Sequence, residues 1–148
     1  MATVFTLLNA STIPAFAGLY VAVFNAPPWN DGWEASVAVE RLNAFAGHPK
    51  FHGLGMQVDG APVALILGWG ERWIRTWHFH IKEMCVAPHL QGRGLGAALL
   101  AELESRLAEM GYTHVHLTTG QAVPARHFYQ RHGYRDLPLL SLGKRLQA

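Results

Sequence analysis

The sequence is poor in cysteine and in charge, and it contains no long apolar run. Cys85 is the single cysteine among 148 residues, which excludes an internal disulfide framework and fits a reducing compartment. No stretch reaches the roughly 18 apolar residues of a membrane span, and the first residues lack the basic start and apolar core of a secretory leader. We therefore expect a soluble, cytoplasmic protein with no membrane partner.

Charged residues make up only 15% of the chain and hydrophobic residues 50%, a balance typical of a folded protein. The length suits one domain, residues 1–148, and the net charge of +2 is too small to indicate a nucleic-acid partner. Residues 1–83 carry six acids and five Lys or Arg, whereas residues 84–148 carry four and seven. The excess of Lys and Arg over acids in the second half is either a chance fluctuation or a sign that this half binds a multiply charged anion.

The hydrophobic pattern alternates between strands and helices. The segments predicted as strands are TVFTLL, FHGLGMQV, APVALILGW, WHFHIKEMCV, THVHLTT and a closing strand or strand pair in YRDLPLLSLGKRL. The predicted helices are IPAFAGLYVAVFNA, DGWEASVAVERLNAFAG, a helix through Leu95, Leu99, Leu103 and Leu107, and VPARHFYQRHG. The sum is an α/β (α+β) domain whose hairpins, such as the one around Asp59-Gly60, come first and whose β-α-β-α segment comes last.

Three glycines, Gly92, Gly94 and Gly96, stand immediately before the most regular predicted helix, with Arg93 among them. A helix start exposes unpaired N–H groups, and glycines let a ligand approach them, so strand, loop and helix together form a phosphate cradle. A flexible connector is the alternative. A dinucleotide fold is disfavoured because the next strand supplies no acid, and the P-loop is excluded because no Gly-Lys-Ser/Thr follows.

Two motifs in this order resemble a known family. They are V-x-P-x-x-Q-G-R-G-L-G from Val86 to Gly96 and A-x-x-F-Y-x-x-x-G-Y from Ala125 to Tyr134. Together they resemble the GNAT superfamily of acyl-CoA-dependent N-acetyltransferases over about residues 3–146. One departure is Ala122, where family members often carry an Asn, and Gln121 is a possible substitute.

The resemblance implies a central mixed, mostly antiparallel sheet with about four helices and acetyl-CoA as cofactor. The implied cofactor-binding residues lie on a strand edge, the glycine loop and the late helix: Met84, Cys85, Val86, Gln91, Gly92, Arg93, Gly94, Leu95, Gly96, Ala97, Ala125 and Phe128. We read Cys85 as a small core residue in preference to a thioester-forming nucleophile.

The resemblance also implies two catalytic residues. Tyr129 matches the family's usual proton donor to the departing sulfur, and a phenol with an ordinary pKa near 10 is protonated at neutral pH. Glu83 is the one acid on the strand that leads into the loop, and we expect it to share a face with Ile81 and Cys85 as a lone carboxylate among apolar neighbours, an environment that suits a base. A packed tyrosine, a solvated glutamate, and His78 or His80 as the base are the alternatives.

The acceptor side is defined less sharply by the sequence. The resemblance places Trp29, Trp33, Glu34, Trp69 and His78 at the acceptor site, although packing alone would explain the tryptophans. Nearby acids suit a cationic amine such as a polyamine, an aminoglycoside or a peptide N-terminus. His78/His80 and His114/His116 each share a strand face, but without a third ligand we expect no metal. A non-catalytic acyl-CoA-binding or sensory module is the alternative function, and a homodimer is possible.

Overall fold

The structure, a computed structural model, describes residues 2–147. By its internal contacts the chain divides into two compact units, one ending at Leu117 and the other beginning at Thr118. The predicted single domain of residues 1–148 stays a prediction.

The first unit is built on a five-stranded sheet in the order β1-β2-β3-β4-β5. Its strands are β1 (Thr3–Leu7), β2 (Phe51–Val58), β3 (Ala61–Arg72), β4 (Trp77–Val86) and β5 (Tyr112–Leu117). Every neighbouring pair is antiparallel except β4 and β5, which are parallel. The predicted mixed, mostly antiparallel sheet is therefore confirmed.

Three helices accompany this sheet. They are α1 (Ile13–Phe24), α2 (Ala35–Ala46) and α3 (Leu95–Glu109), and a 3-10 turn, Pro88–Leu90, precedes α3. The second unit contains α4 (Pro124–Arg131), so the predicted number of about four helices is confirmed. Among residues 2–147, none of the helices is both long and apolar enough to cross a membrane.

The core of the first unit follows the predicted hydrophobic periods. Leu99, Leu103 and Leu107 of α3 are buried, as their spacing predicts. On the other side of the fold, Leu65 and Leu67 of β3 join one apolar cluster with residues of α1 and α2. Gly55 of β2 is required there, because a Cβ at this position would lie 2.2 Å from the ring of Phe16 on α1.

The predicted closing strand is wrong. No strand forms within the described residues 118–147, and Leu139 and Leu142 are 76% and 90% exposed. Pro138 supplies no backbone donor for a ladder. Asp136 is bound instead to the side chains of Arg126 and Gln130 on α4, so local side-chain contacts replace strand pairing at the start of this segment.

Candidate active site

The loop between β4 and α3 has the backbone of an anion cradle. Gly92 and Gly94 adopt φ values of +79° and +81°, a left-handed conformation that L side chains rarely adopt. Helix α3 begins at Leu95 without a side-chain cap or an acid in its first turn. The N–H groups of Leu95, Gly96 and Ala97 therefore lack i−4 carbonyl partners and remain for a ligand.

Two side chains of this loop have different roles. Gln91 donates a hydrogen bond from Nε2 to the carbonyl of Val86 at 3.1 Å, which ties the loop to the end of β4. Arg93 is exposed between the two left-handed glycines. The loop thus combines open backbone donors with a solvent-facing cation, an arrangement that favours phosphate.

The far end of β4 extends beyond its parallel neighbour. Pairing with β5 ends at Ile81, opposite Leu117, whereas β4 continues to Val86. The predicted main-chain site at Met84, Cys85 and Val86 lies on this overhang. Cys85 is buried, and burial, reinforced by the nearby Glu83 carboxylate, raises the pKa of its thiol, so a thioester-forming role is disfavoured.

Glu83 is held by one residue from α1 and one from α2. The guanidinium of Arg41 lies 2.8 Å from Glu83 Oε1, and the Tyr20 hydroxyl donates to the same oxygen at 3.3 Å. Arg41 Nε in turn donates to the Tyr20 oxygen at 3.1 Å, which closes the network. Burial, followed by the Glu83 charge, raises the pKa of Tyr20 and keeps its phenol neutral.

Two expectations about Glu83 are wrong. It is not a lone carboxylate among apolar neighbours, because Arg41 and Tyr20 bind it. It also does not share a face with Ile81: the register shifts at a β-bulge, so that Glu83 pairs with Leu67 while Ile81 pairs with Gly68. Since Leu67 and Gly68 are consecutive and point to opposite faces, their partners do so as well.

An aromatic wall extends from Glu83 across the same face of the sheet. The Arg41 guanidinium lies over the rings of Trp33 and Phe45, at 5.4 and 4.7 Å from their centroids. Phe45 in turn contacts Trp69 with a centroid separation of 5.5 Å. The structure thus brings the predicted acceptor residues Trp33 and Trp69 into one wall around Arg41, which the sequence did not single out for this role.

The other predicted acceptor residues occupy separate places. Trp29 packs edge-on against Phe24, 5.2 Å between centroids, which favours its packing role. Glu34 immediately precedes α2. It lines an open depression of about 580 Å³ with its neighbours Asp31, Gly32, Trp33 and Val37.

His78 belongs to a cluster of four imidazoles on β4 and β5. Its Nε2 lies 3.0 Å from the hydroxyl of Thr76, and its ring lies 4.3 Å from that of His114. Desolvation, followed by the charges of His114 and His116, lowers the pKa of His78. Within residues 2–147, no three potential ligands are grouped so that they could hold a metal ion.

The predicted residues Ala125, Phe128 and Tyr129 lie together on α4 in the second unit. Tyr129 is buried, and its ring contacts those of Phe128 and Tyr134 with centroid separations of 5.2 and 5.3 Å. Burial raises the pKa of Tyr129, so the phenol stays protonated at neutral pH, as a proton donor requires.

Comparison with known proteins shows to which family the chain belongs. The family model for the acetyltransferase (GNAT) family matches residues 15–134. An uncharacterized N-acetyltransferase of Methanocaldococcus jannaschii is 36% identical over 90 residues, covering 57% of this chain and 53% of that protein. Mycothiol acetyltransferase of Gordonia bronchialis is 32% identical over 117 residues, covering 76% of this chain and 37% of that protein. The chain thus spans about half the length, or less, of these relatives.

The fold agrees with this match. The solved structure of an aminoglycoside N-acetyltransferase in complex with CoA superposes with a TM-score of 0.78 at 11% identity, covering 97% of this chain and 95% of that one. The resemblance carried by the glycine loop and the late helix is confirmed. The chain belongs to the GNAT acetyltransferase family.

Proposed function

We propose that this protein is an acetyl-CoA-dependent N-acetyltransferase that acylates a primary amine of a small molecule or peptide by direct transfer in a ternary complex. The observation that carries the proposal is the uncapped start of α3, preceded by Gly92 and Gly94 in left-handed conformations and by the exposed Arg93. Family membership and the CoA-bound structural neighbour support the same cofactor.

The residues present fit coenzyme A. Backbone N–H groups at Leu95–Ala97 and the Arg93 guanidinium would hold its diphosphate. The overhanging end of β4 at Met84–Val86 would pair with its amide-containing arm in the manner of an added strand. Ala125 and Phe128 are proposed to border that arm. When bound, acetyl-CoA supplies the activated acetyl group.

Glu83 and Tyr129 are the proposed catalytic residues. Both contacts of Glu83 use Oε1, and within residues 2–147 its Oε2 makes no hydrogen bond, so this oxygen is available to an amine or to a bridging water. The Glu83 carboxylate would take the proton that the amine loses, and the neutral Tyr129 phenol would give its proton to the departing sulfur. A backbone N–H of the β4 overhang would stabilise the charge on the carbonyl oxygen.

A cationic amine is the acceptor class that the charges favour. Asp31 and Glu34 line the open depression beside Trp33, and Glu83 contacts Arg41, whose guanidinium lies over the Trp33 ring. Polyamines, aminoglycosides and peptide N-termini all carry such amines, and the structural neighbour described above acts on an aminoglycoside by its name.

The decisive experiment is a screen of these three amine classes with acetyl-CoA, monitored by release of the CoA thiol. Thiol release that depends on an amine supports the transferase. The alternative, a non-catalytic acyl-CoA-binding module, predicts calorimetric binding of acetyl-CoA with no amine-dependent thiol release from any of them.

Replacing Tyr129 with Phe tests the proposed acid. The ring and its packing against Phe128 and Tyr134 are retained, whereas the proton is lost, so kcat should fall by about 10²-fold. The Kd for CoA measured by calorimetry should stay within about twofold. Turnover equal to that of the unmodified protein would remove Tyr129 from the mechanism.

A further inference from the structure

Four histidines form a ladder across the parallel pair β4 and β5. We define the histidine ladder as His78 and His80 on β4 with His114 and His116 on β5, where 78 pairs with 114 and 80 with 116. The Nδ1 atoms of His80 and His116 lie 3.1 Å apart, and the two rings are 5.1 Å apart. Two nitrogens at this distance share one hydrogen, because one must donate and the other accept.

The β-bulge in β4 brings this ladder next to Glu83. His80 pairs with Trp69 of β3, and Glu83 pairs with Leu67. Because Leu67 and Trp69 are two residues apart, they share a face, and their partners occupy consecutive positions on it. Consecutive positions on one strand face are about 7 Å apart, a gap that one water molecule between two side chains can bridge.

The charges around these groups favour movement of a proton away from Glu83. Arg41 forms an ion pair with the Glu83 carboxylate, and a proton held on Glu83 would weaken this contact. Desolvation, followed by the charge that His116 carries when it is protonated and by the charge of Lys82, lowers the pKa of His80, so its imidazole is neutral at neutral pH and can accept a proton. The titratable groups that act on His80 are His116 from β5, Lys82 from β4 and Glu71 from β3.

We propose that His80 and His116 form a proton-sharing pair that receives, by way of Glu83, the proton released by the acceptor amine. The inference rests on the proposed function. The ammonium N–H bond breaks and its proton moves to Glu83 Oε2; Glu83 then passes it through a water to His80 Nε2. The hydrogen on His80 Nδ1 stays in its bond to the Nδ1 lone pair of His116, which stabilises the imidazolium. His80 then loses the Nε2 proton to solvent.

In this scheme His116 acts through His80 and is a positioning residue. Neutral His116 stabilises the first proton on the pair by accepting a hydrogen bond from the charged ring. A second proton would place two cations at contact distance, so it binds only at clearly lower pH. The two rings should therefore titrate as one coupled unit.

Histidine titration by long-range ¹H–¹⁵N NMR tests the pair without any acceptor. In the unmodified protein, both His80 and His116 should show two inflections. In His116→Asn, whose Oδ1 accepts the same hydrogen bond but binds no proton, His80 should titrate in one step. His127→Gln, an exposed position on α4, should leave both titrations unchanged. Independent single-step titrations of His80 and His116 would overturn the proposal.

Kinetics on the best amine of the screen test the same pair in turnover. His80→Ala should lower kcat by about 10²-fold, with little change in the KM for acetyl-CoA. His116→Ala should lower kcat about tenfold, because the His80 imidazolium loses its hydrogen-bond acceptor, and should displace the acidic limb of the pH–rate profile, because His80 then has no proton-binding partner. His116→Asn should restore most of the rate, because its Oδ1 supplies the acceptor again.

The outcomes separate this inference from the proposed function. An acidic limb in His116→Ala that overlays that of the unmodified protein, with amine-dependent thiol release intact, overturns the pair and leaves the transferase standing. Coupled NMR titrations in a protein that releases no thiol with any amine overturn the transferase and, with it, the assignment of this pair to turnover.

Discussion

At the scale of single residues, the Glu83 network explains how one carboxylate can be both fixed and available. Arg41 and Tyr20 hold a single oxygen, Oε1, from α2 and α1 respectively. The side chain of Glu83 is only 12% exposed, so water competes weakly for these contacts. The geometry orients Oε2 without consuming its lone pairs.

Replacing Glu83 with Gln tests this residue directly. Gln keeps the shape of the side chain and its Oε1 can still accept from Arg41, but it can neither hold an ammonium ion by charge nor take its proton. We expect kcat with the best amine to fall by about 10²-fold or more and the Kd for CoA to stay unchanged, measured by thiol release and calorimetry.

Glu102→Gln is the matched control, because Glu102 also pairs with an arginine, Arg106 at 3.1 Å, but one turn away on the same helix. This variant should retain full turnover. A Glu83→Gln protein as active as Glu102→Gln would show that the amine loses its proton elsewhere.

The partners of Glu83 show where prediction from the sequence stops at this scale. Glu83 could be singled out because it is the one acid on its strand, a local property. Tyr20 and Arg41 lie 63 and 42 residues away, and nothing in the local pattern of α1 or α2 states which strand they meet. The bulge that turns Glu83 away from the Ile81 face is equally a product of pairing with β3.

At the scale of elements, the β4–loop–α3 segment was predicted best because the residues that define it are close together in the sequence. The leucine period of α3 and the glycines before it are written within about 20 residues of sequence. The histidine ladder was predicted only as two separate strand faces, because the register between β4 and β5 is a non-local property. The closing strand failed for a related reason: contacts of Asp136 with α4 compete with pairing.

If the loop before α3 binds the diphosphate of CoA, replacing Gly94 with Ala should weaken CoA binding. Gly94→Ala should be strained by its φ of +81° and should place a side chain where a phosphate would approach. We expect the Kd for CoA to rise about tenfold or more by calorimetry.

Gly60→Ala provides a control of the same backbone strain. Gly60 has a φ of +83° in the turn between β2 and β3, and a Cβ there would also meet no atom within 4 Å. Both variants should lose about 1 kcal/mol of stability, but only the change at Gly94 should weaken CoA binding. Equal CoA affinities in the two variants would contradict the cradle.

At the scale of the whole molecule, the α/β class could be predicted because strand and helix periods repeat along the chain, whereas the mixed, mostly antiparallel sheet was implied by the family resemblance. The apolar residues of β3 and the apolar face of α3 must both be buried, and packing helices against a sheet achieves this. The hydrophobic periods do not predict which polar side chains become buried inside the fold. His52, on β2, is one such residue: its Nε2 is buried and, among residues 2–147, has no hydrogen-bond partner.

The histidines with lowered pKa values predict that the protein loses stability in mild acid. Burial, followed by the charge of Arg106, lowers the pKa of His52 from 6.5, and desolvation lowers those of His78 and His80. As the pH falls through about 6.5, the unfolded chain binds protons at these imidazoles and the folded chain resists them, so the free energy of unfolding decreases. The Asp136 pKa is lowered from 3.8 by its bonds to Arg126 and Gln130, so its contribution is lost only at more acidic pH.

Thermal unfolding followed by circular dichroism should therefore show a Tm that falls by a few degrees between about pH 7.5 and about pH 5.5. His52→Gln removes one of the three depressed imidazoles, so its Tm should depend less on pH than that of the unmodified protein, whatever its absolute stability. His127→Gln, which replaces an exposed imidazole, should keep the original dependence. A Tm that is the same at both pH values would contradict neutral burial of these histidines, because a fold that binds protons as readily as the unfolded chain has no linkage to pH.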